Sequence, residues 1–598
     1  MRHICAVIAT TLLAGSAFAD TINVPGDQPT IAAAISASSN GDLINIAAGT
    51  YNEHSLDTDG KAITIQGTLN SDGSQATTID AQQGGSVFVI RSAETPDTQL
   101  KDLIIRGGTG FDPDGFIGGG GIYCDGSSPT ITNCMIIDNS ASESGGGIYC
   151  INSSPTITDC TISGNTVGYN GGGIYCYASN PTISDCTIEG NTTDYGSGAG
   201  ITCFDSSPTI SGCTISDHTG YWGSAIECRG SGSTTISDCN ILNNTSNGEG
   251  VVYLETNATI SGCTFTGNSG GYNGAAIFCT AGLTTISDCL ITNNTGSTGG
   301  IILDRFWDDQ ATNYTVTNCT ITGNNAVDNG AGGGIYCGSD ITASITGCTI
   351  SNNLATSYAG GISIGDDSIV TISKCTISEN TAADDAGGIA VKESAQATVS
   401  ECIIQGNIAG GNAGGIGIQT LATATLSDCI IQGNTAGQDA GGIGVEPLAI
   451  ATLENCQICG NAPDQTYTSP GGEIINAGGN TIEDECDGPP VPTGACCLDT
   501  GCFVTTNLEC TKVGGTWLGE DTGCGECNEP PVPIGACCVT TGCFAGTNEQ
   551  CAAAGGTWLG QDASCDTCSP ICQGDVTGDG QVNVADLLTV IANWNNCP

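Results

Sequence analysis

Gly145-Gly146-Gly147-Ile148-Tyr149-Cys150, followed by Ser154-Pro155-Thr156-Ile157-Thr158-Asp159-Cys160-Thr161-Ile162-Ser163-Gly164-Asn165, is one unit of a degenerate repeat running from about residue 119 to residue 461. Its second cysteine recurs as Cys134, Cys160, Cys186, Cys213, Cys239, Cys263, Cys289, Cys319, Cys348, Cys375, Cys402, Cys429 and Cys456, at intervals of 24 to 30 residues. A period of this size marks a solenoid, in which each repeat buries its apolar face on its neighbours. Within the unit Ile148 and Cys150 point one way with Tyr149 between them, and Ile157 is flanked by Thr156 and Thr158. Alternation slips at Asp159 and resumes with Cys160 and Ile162 inward and Thr161 and Ser163 outward. This predicts short strands with a bend near Asp159. Ile and Thr suit a pleated, half-buried surface. Nothing in the unit has a helical period. Turns stacked about 4.8 Å apart would build a long parallel cylinder, an all-β solenoid.

Five residues after each ladder cysteine stands an asparagine: Asn139, Asn165, Asn191, Asn244, Asn268, Asn294, Asn324, Asn353, Asn380, Asn407, Asn434 and Asn461, with His218 the one break. Stacked amides can bond to one another and to turn backbone, satisfying polar groups at a tight bend. The glycines ahead of each Ile permit positive φ and close approach of coils. Both features are structural, not catalytic.

The repeat resembles the right-handed parallel β-helix, and its GGGI and xGN pattern is similar to that of chlamydial polymorphic outer-membrane proteins. Gly41-Asp42-Leu43-Ile44-Asn45-Ile46-Ala47-Ala48-Gly49-Thr50-Tyr51 resembles the first coil of pectate-lyase-like β-helix proteins, which makes Ile31 to Ser36 a capping helix. The resemblance covers roughly residues 20–486. It implies the fold, which hosts lyases, hydrolases, epimerases and non-catalytic adhesins.

Formal net charge is −51 with only ten Lys plus Arg, so nucleic acid and anionic lipid are poor partners, and anionic polysaccharides are repelled unless calcium bridges them. Residues 1–19 read as a signal peptide: Arg2, an apolar run through Ala14, then Ala17-Phe18-Ala19 before Asp20. Ser16 stands where a lipoprotein box needs cysteine, and no other apolar run is long enough to span a membrane. The expectation is an exported protein, secreted or at the cell surface, with no membrane insertion. Residues 20–118 hold the cap and first coils and 119–486 the repeats. Linkers at 487–493 and 529–534 set off cysteine-rich modules at 494–528 and 535–569, and 570–598 form a last segment.

Two places interrupt the ladder. One is Asp217-His218-Thr219-Gly220-Tyr221-Trp222, followed by Glu227 and Arg229; the other is Asp304-Arg305-Phe306-Trp307-Asp308-Asp309, in the longest interval. Each supplies a ring to stack on a sugar, carboxylates and a cation. Carbohydrate-binding candidates are Trp307, Asp304, Arg305, Asp308 and Trp222, with the second place preferred because an insertion projects from the cylinder. The alternative reading is a surface loop whose aromatic covers the coil edge.

The modules carry Cys496, Cys497, Cys502, Cys510, Cys524 and Cys527, then Cys537, Cys538, Cys543, Cys551, Cys565 and Cys568 at identical spacing. Six cysteines in so short an exported segment predict three disulfides each; zinc is the alternative. They resemble small cysteine-rich repeats near the C-termini of secreted planctomycete proteins. In the solenoid, by contrast, the ladder cysteines are an odd number with Cβ atoms about 4.8 Å apart, wider than a disulfide takes. Most are therefore expected to be buried thiols, with local exceptions open between the two cysteine columns or between Cys459 and Cys486.

The stretch Gly574-Asp575-Val576-Thr577-Gly578-Asp579-Gly580-Gln581-Val582-Asn583-Val584-Ala585-Asp586 resembles one half of a type I dockerin. The resemblance implies calcium held by Asp575, Thr577, Asp579, the backbone of Gln581, Asn583 and Asp586. A dockerin has two such halves and this chain has one, which argues against a cohesin-like partner. Two functional readings stand: a non-catalytic adhesin, scaffold or glycan-binding rod whose partner is a polysaccharide or cell-surface glycan, or a polysaccharide lyase or glycoside hydrolase. A face that collects carboxylates, Arg or Lys and Trp favours the enzyme; a uniform Thr, Ser and Asn face favours the rod.

Overall fold

The computed structural model describes residues 19–111, 117–271, 274–305, 312–328 and 330–486, and beyond them 493–498, 501–506, 510, 516–518, 534–539, 542–547 and 557–558. Residues 1–18 of the expected signal peptide and the whole 575–586 stretch expected to hold calcium lie outside the described residues.

Every repeat forms one coil of a parallel β-solenoid. In the unit quoted above, the strands are Ile148–Ile151, Thr156–Thr158, Thr161–Ser163 and the two-residue Thr166–Val167. Each pairs in parallel with its equivalent one coil on: Ile148 with Ile174, Thr156 with Thr182, Thr161 with Thr187 and Thr166 with Thr192. Side chains alternate across each strand, so Ile148, Cys150, Ile157 and Ile162 fill one continuous core that runs the length of the coil stack. Polar partners Thr156, Thr158, Thr161 and Ser163 face outward, only partly covered.

The bends have the expected chemistry. Asp159 adopts φ 54°, as do its equivalents Asn133 at 51° and Asp185 at 53°, in the left-handed region that Asn, Asp and Gly reach most readily. Gly145 opens the next turn at φ 67°, and a Cβ on Gly147 would lie 2.6 Å from the Gly173 carbonyl. The equivalent position further along the stack is Ala225, Val251 and Ala276, so the glycine is needed by these particular coils and not by every one. At the N-terminus the cap is a helix, Ile31–Ala37, one residue longer than expected. Thr30 Oγ1 accepts from Ala33 N, and the Glu53 carboxylate accepts from Ile31 N and Ala32 N at 2.8 and 2.9 Å. Buried Ile31, Ala34 and Ile35 then close the end of the core.

The asparagine ladder is as predicted, and it is fully enclosed. Asn380 Nδ2 donates to Ile350 O and to Asn407 Oδ1, both at 2.9 Å. Asn380 Oδ1 accepts from Asn353 N and Asn353 Nδ2, both at 3.0 Å. The pattern repeats to Asn461, whose N and Nδ2 are satisfied by Gln465 Oε1 at 3.0 and 2.8 Å, an amide end cap. His218 keeps the column continuous: Asn191 N donates to its Nδ1 at 3.0 Å, and its Nε2 lies 3.1 Å from Ile188 O. That network assigns the Nε2–H tautomer. Burial lowers the His218 pKa to about 4, so the ring is neutral.

The solenoid cysteines are free and buried, as expected. They do more than fill space. Cys375 N donates to Cys402 Sγ at 3.4 Å, while Cys375 Sγ sits 3.2 Å from Ser373 O and 3.6 Å from Ile345 O. Weak as sulfur hydrogen bonds are, they serve backbone groups at a bend that the strands leave unpaired. Cys459 and Cys486 form the expected disulfide across the last coils. In the first module Cys496 is bonded to Cys510 and Cys497 is also in a disulfide. Both modules show the same antiparallel three-stranded sheet, Thr493–Leu498, Gly501–Thr506 and Thr516–Trp517 matching Ile534–Val539, Gly542–Thr547 and Thr557–Trp558.

Replacing one rung of the ladder strands buried groups on both sides. Asn380→Ala removes the acceptor of Asn353 N and Nδ2 and a donor to Ile350 O, and is expected to cost about 1–3 kcal/mol. Denaturant unfolding of the two proteins measures it; an unchanged midpoint would contradict a stabilising ladder.

Candidate functional site

One outward row of the solenoid is formed by the residue between the two inward ones of each coil's first strand. Register runs it through Tyr123, Tyr149, Tyr175, Thr202, Glu227, Tyr253 and Phe278. The tyrosines stack, with Tyr149 centroids 5.3 Å from Tyr123 and 5.2 Å from Tyr175 and ring planes within 10°. Although they face outward they are nearly covered, Tyr149 being 6% exposed, because the glycine turns fold over them.

At Glu227 the row changes character. The strands Ile226–Ser237 and Val252–Ser261 run on through the bend that elsewhere separates two strands, with a register shift between Arg229 and Ser233. The preceding turn is Tyr221-Trp222, separated from the ladder residue His218 by the short strand Thr219–Gly220. Its rings are 50% and 38% exposed. The guanidinium carbon of Arg229 lies 5.1 Å from the Trp222 ring centroid and 4.6 Å from that of Tyr253. Arg229 Nε approaches Glu227 Oε1 at 2.6 Å and Glu255 Oε2 at 3.8 Å. Tyr253 Oη reaches Glu255 Oε2 at 3.4 Å and receives Thr280 Oγ1 at 3.4 Å.

The electrostatics are set by burial. Glu227 is 0% exposed, and neither of its oxygens has an aligned hydrogen-bond donor despite the short approach of Arg229. Burial therefore outweighs the arginine and raises the Glu227 pKa to about 7. Burial also raises the carboxyl of Glu249, against the pull of Arg229. The result is a guanidinium held between two rings, backed by a carboxyl whose pKa burial raises, with exposed aromatic faces beside it. Such a surface can stack a sugar ring and donate hydrogen bonds to its hydroxyls.

Of the residues expected at a carbohydrate site, Trp222 is here, brought together with Glu227 and Arg229. Asp304 and Arg305 are elsewhere, at the end of the strand Ile301–Leu303. Asp304 Oδ1 accepts from Arg305 N at 2.8 Å and its carbonyl accepts from Tyr314 Oη, while burial raises its carboxyl pKa. Trp307 and Asp308 lie outside the described residues. Sequence reading missed Tyr253, Glu249 and Glu255. The signal was available: one repeat added to Glu227 and Arg229 lands on Tyr253 and Glu255. Among the described residues there is no group of three or more His, Cys, Asp or Glu placed to hold a metal.

The raised Glu227 pKa has a stability signature. Folded protein keeps the proton up to about pH 7, whereas the unfolded chain loses it near 4.5, so unfolding releases a proton between them. The contribution of this group is greatest below 4.5 and is lost as pH rises towards 7. Unfolding midpoints across pH 4 to 8 are expected to fall for the native protein relative to Glu227→Gln through that window. Parallel curves would contradict the buried proton.

The family described as right handed beta helix region matches residues 59–221, 184–306 and 300–486, together more than half of the chain. No curated protein matches. Solved structures that align include a periplasmic alginate epimerase, at 10% identity and TM-score 0.23 over 74% of this chain and 77% of that one. Another is the catalytic domain of an alpha-1,3-glucanase in complex with nigerose, at 12% and 0.23 over 77% and 68%. A third is the A-module of the mannuronan C-5 epimerase of Azotobacter vinelandii, at 12% and 0.24 over 77% and 90%. At these values none of them speaks to activity. The coil register, the buried core and the family match agree: this chain belongs to the right handed beta helix region family.

Proposed function

We propose that this protein is an exported, glycan-binding β-helix that contacts a non-acidic polysaccharide through Trp222, Tyr221 and Arg229. The observation that carries this is the clamp itself: the Arg229 guanidinium lies between the Trp222 and Tyr253 rings with Glu227 behind it. Net charge of −51 disfavours an acidic polymer. A lyase or hydrolase is the second reading, favoured by the Glu227 pKa of about 7, which suits a general acid. Against it stands geometry. Glu227 is wholly enclosed beneath Arg229, so its carboxyl meets no glycosidic oxygen unless the clamp opens.

A glycan panel scored for both binding and cleavage separates the readings. Trp222→Ala is expected to weaken binding at least about tenfold, ~1.4 kcal/mol, with unchanged circular dichroism and no cleavage by either protein. Full binding by Trp222→Ala would remove the site. Cleavage by the native protein that disappears in Glu227→Gln would establish the enzyme.

The calcium reading of the C-terminal segment rests on the spacing of Asp575, Thr577, Asp579, Gln581, Asn583 and Asp586. A loop of that spacing would bring several anionic oxygens together, and these repel one another until a cation joins them. Calorimetric titration of the full chain is expected to show one calcium site that Asp579→Ala weakens more than Thr577→Ala. No calcium heat in the native protein would end the dockerin resemblance as a functional one.

A further inference from the structure

The second strand of each coil carries a surface that the clamp does not use. In the unit quoted first it is Thr156–Thr158, with Ile157 turned into the core and both threonines outward. Register carries Thr156 back to Thr130 and on through Thr182, Thr209 and Thr235 to Thr452, and Ser344 is the one rung of that rank that is not threonine. The partner rank, two residues on, holds threonine or serine in every coil from Thr132 to Ser427. The register shift beside the clamp, between Arg229 and Ser233, falls outside both ranks.

Strand propensity does not account for this uniformity. The next strand of the same coils, Thr161–Ser163 in the quoted unit, has a buried apolar residue at the same place, yet its outward positions drift to Glu189, Asn240, Leu242, Leu290 and Ile403. A pleated surface tolerates all of these. The two threonine ranks do not drift. In a chain of net charge −51 they carry no charge before Glu454, and acids stand instead at the bend beside them, as Asp159, Asp185 and Asp238.

The array is open to solvent and firmly backed. Thr182, Thr209, Thr285, Thr371, Thr398 and Thr425 are exposed, while Ile183, Ile210 and Ile372 beneath them are wholly buried. Rungs stand about 4.8 Å apart along the solenoid axis, and the two ranks about 6.6 Å apart across it. Twelve steps from Thr130 to Thr452 make the array roughly 58 Å long.

A ligand of bounded size finds no unique seat here, because each coil offers what the next one offers. What can match such a surface over its whole length is a solid with the same two repeats. Each threonine supplies a hydroxyl that both donates and accepts, beside a methyl, and no charge that would hold a hydration shell of its own. Ice is built from molecules that donate and accept in the same way, and its prism face repeats at spacings near both of these. We propose that the threonine ranks are an ice-binding face, on which water held by the hydroxyls and ordered over the methyls joins the crystal. The proposal is independent of the glycan reading, whose clamp lies on the first strand of the coil and the turn before it.

The test follows single ice crystals in solutions of the full chain, reading crystal shape, the gap between melting and freezing points, and the rate of recrystallisation. Native protein is expected to facet the crystals, open that gap and slow recrystallisation. The triple variant Thr182→Tyr, Thr285→Tyr, Thr398→Tyr sets rings on the exposed rank at strand positions that suit them. It should need at least tenfold more protein for the same effect. The matched variant Thr187→Tyr, Thr264→Tyr, Thr376→Tyr on the neighbouring strand should keep native activity, as should Trp222→Ala. Circular dichroism checks each fold. Ice growth unaltered by the native protein overturns the proposal, and does so equally if that protein sediments with crystalline cellulose instead. Equal loss in the two triple variants also overturns it, because the effect would then not belong to the array. If the array variant does not fold, partition of native protein between slowly grown ice and the remaining liquid decides: enrichment in the ice supports the face, and exclusion from it overturns the face.

Discussion

The structure depends on one constraint: every coil must turn a sharp corner without leaving polar backbone groups stranded in an apolar core. The asparagine column meets it. Each side-chain amide serves both neighbouring coils at once: towards the preceding coil it donates to an Ile carbonyl and accepts from the N–H and amide of that rung, and towards the following coil it donates to the next amide oxygen. Because each rung needs the next in register, the column fixes how coils sit on each other and not merely that they stack. The cysteine column does a weaker version of the same work at the preceding bend. The ends confirm the requirement, since Gln465 is folded back to satisfy the last rung.

This constraint also explains the placement of the clamp. His218 replaces one amide but supplies an acceptor and a donor at the same height, so the coil stays in register while its sequence departs from the pattern. The turn that follows carries Tyr221 and Trp222 outward, as the turns after Asn165 and Asn191 carry Tyr169 and Tyr195. The next coils run straight through their usual bend, which sets Arg229 over Tyr253. Rigid rungs below and variable outward residues above are a sound way to hold a binding surface.

Much of the fold was legible because its causes are local and repeated. The Ile and Thr alternation gives the strands, the slip at Asp159 gives the left-handed bend, and the interval gives the period. The site was less legible because its parts lie one period apart. Glu227 and Arg229 stood out beside Trp222, whereas Tyr253 and Glu255 carry no local mark and join them only through strand register. Preference for the insertion from Asp304 to Asp309 rested on its length, and its Trp307 and Asp308 lie outside the described residues.

The link between ladder and site is open to direct measurement by hydrogen exchange on the native protein and on Asn244→Ala. Asn244 is the rung next to His218, accepting from His218 N through Oδ1 at 3.1 Å and donating to Ile215 O at 3.0 Å. If the ladder holds the clamp in place, removing this rung speeds exchange across residues 218–229, the turn with Trp222 and the strand with Arg229, while coils far along the stack keep their protection. Unchanged protection over 218–229 in a folded Asn244→Ala protein would show that the strands alone fix the site and that the asparagine column is not its foundation.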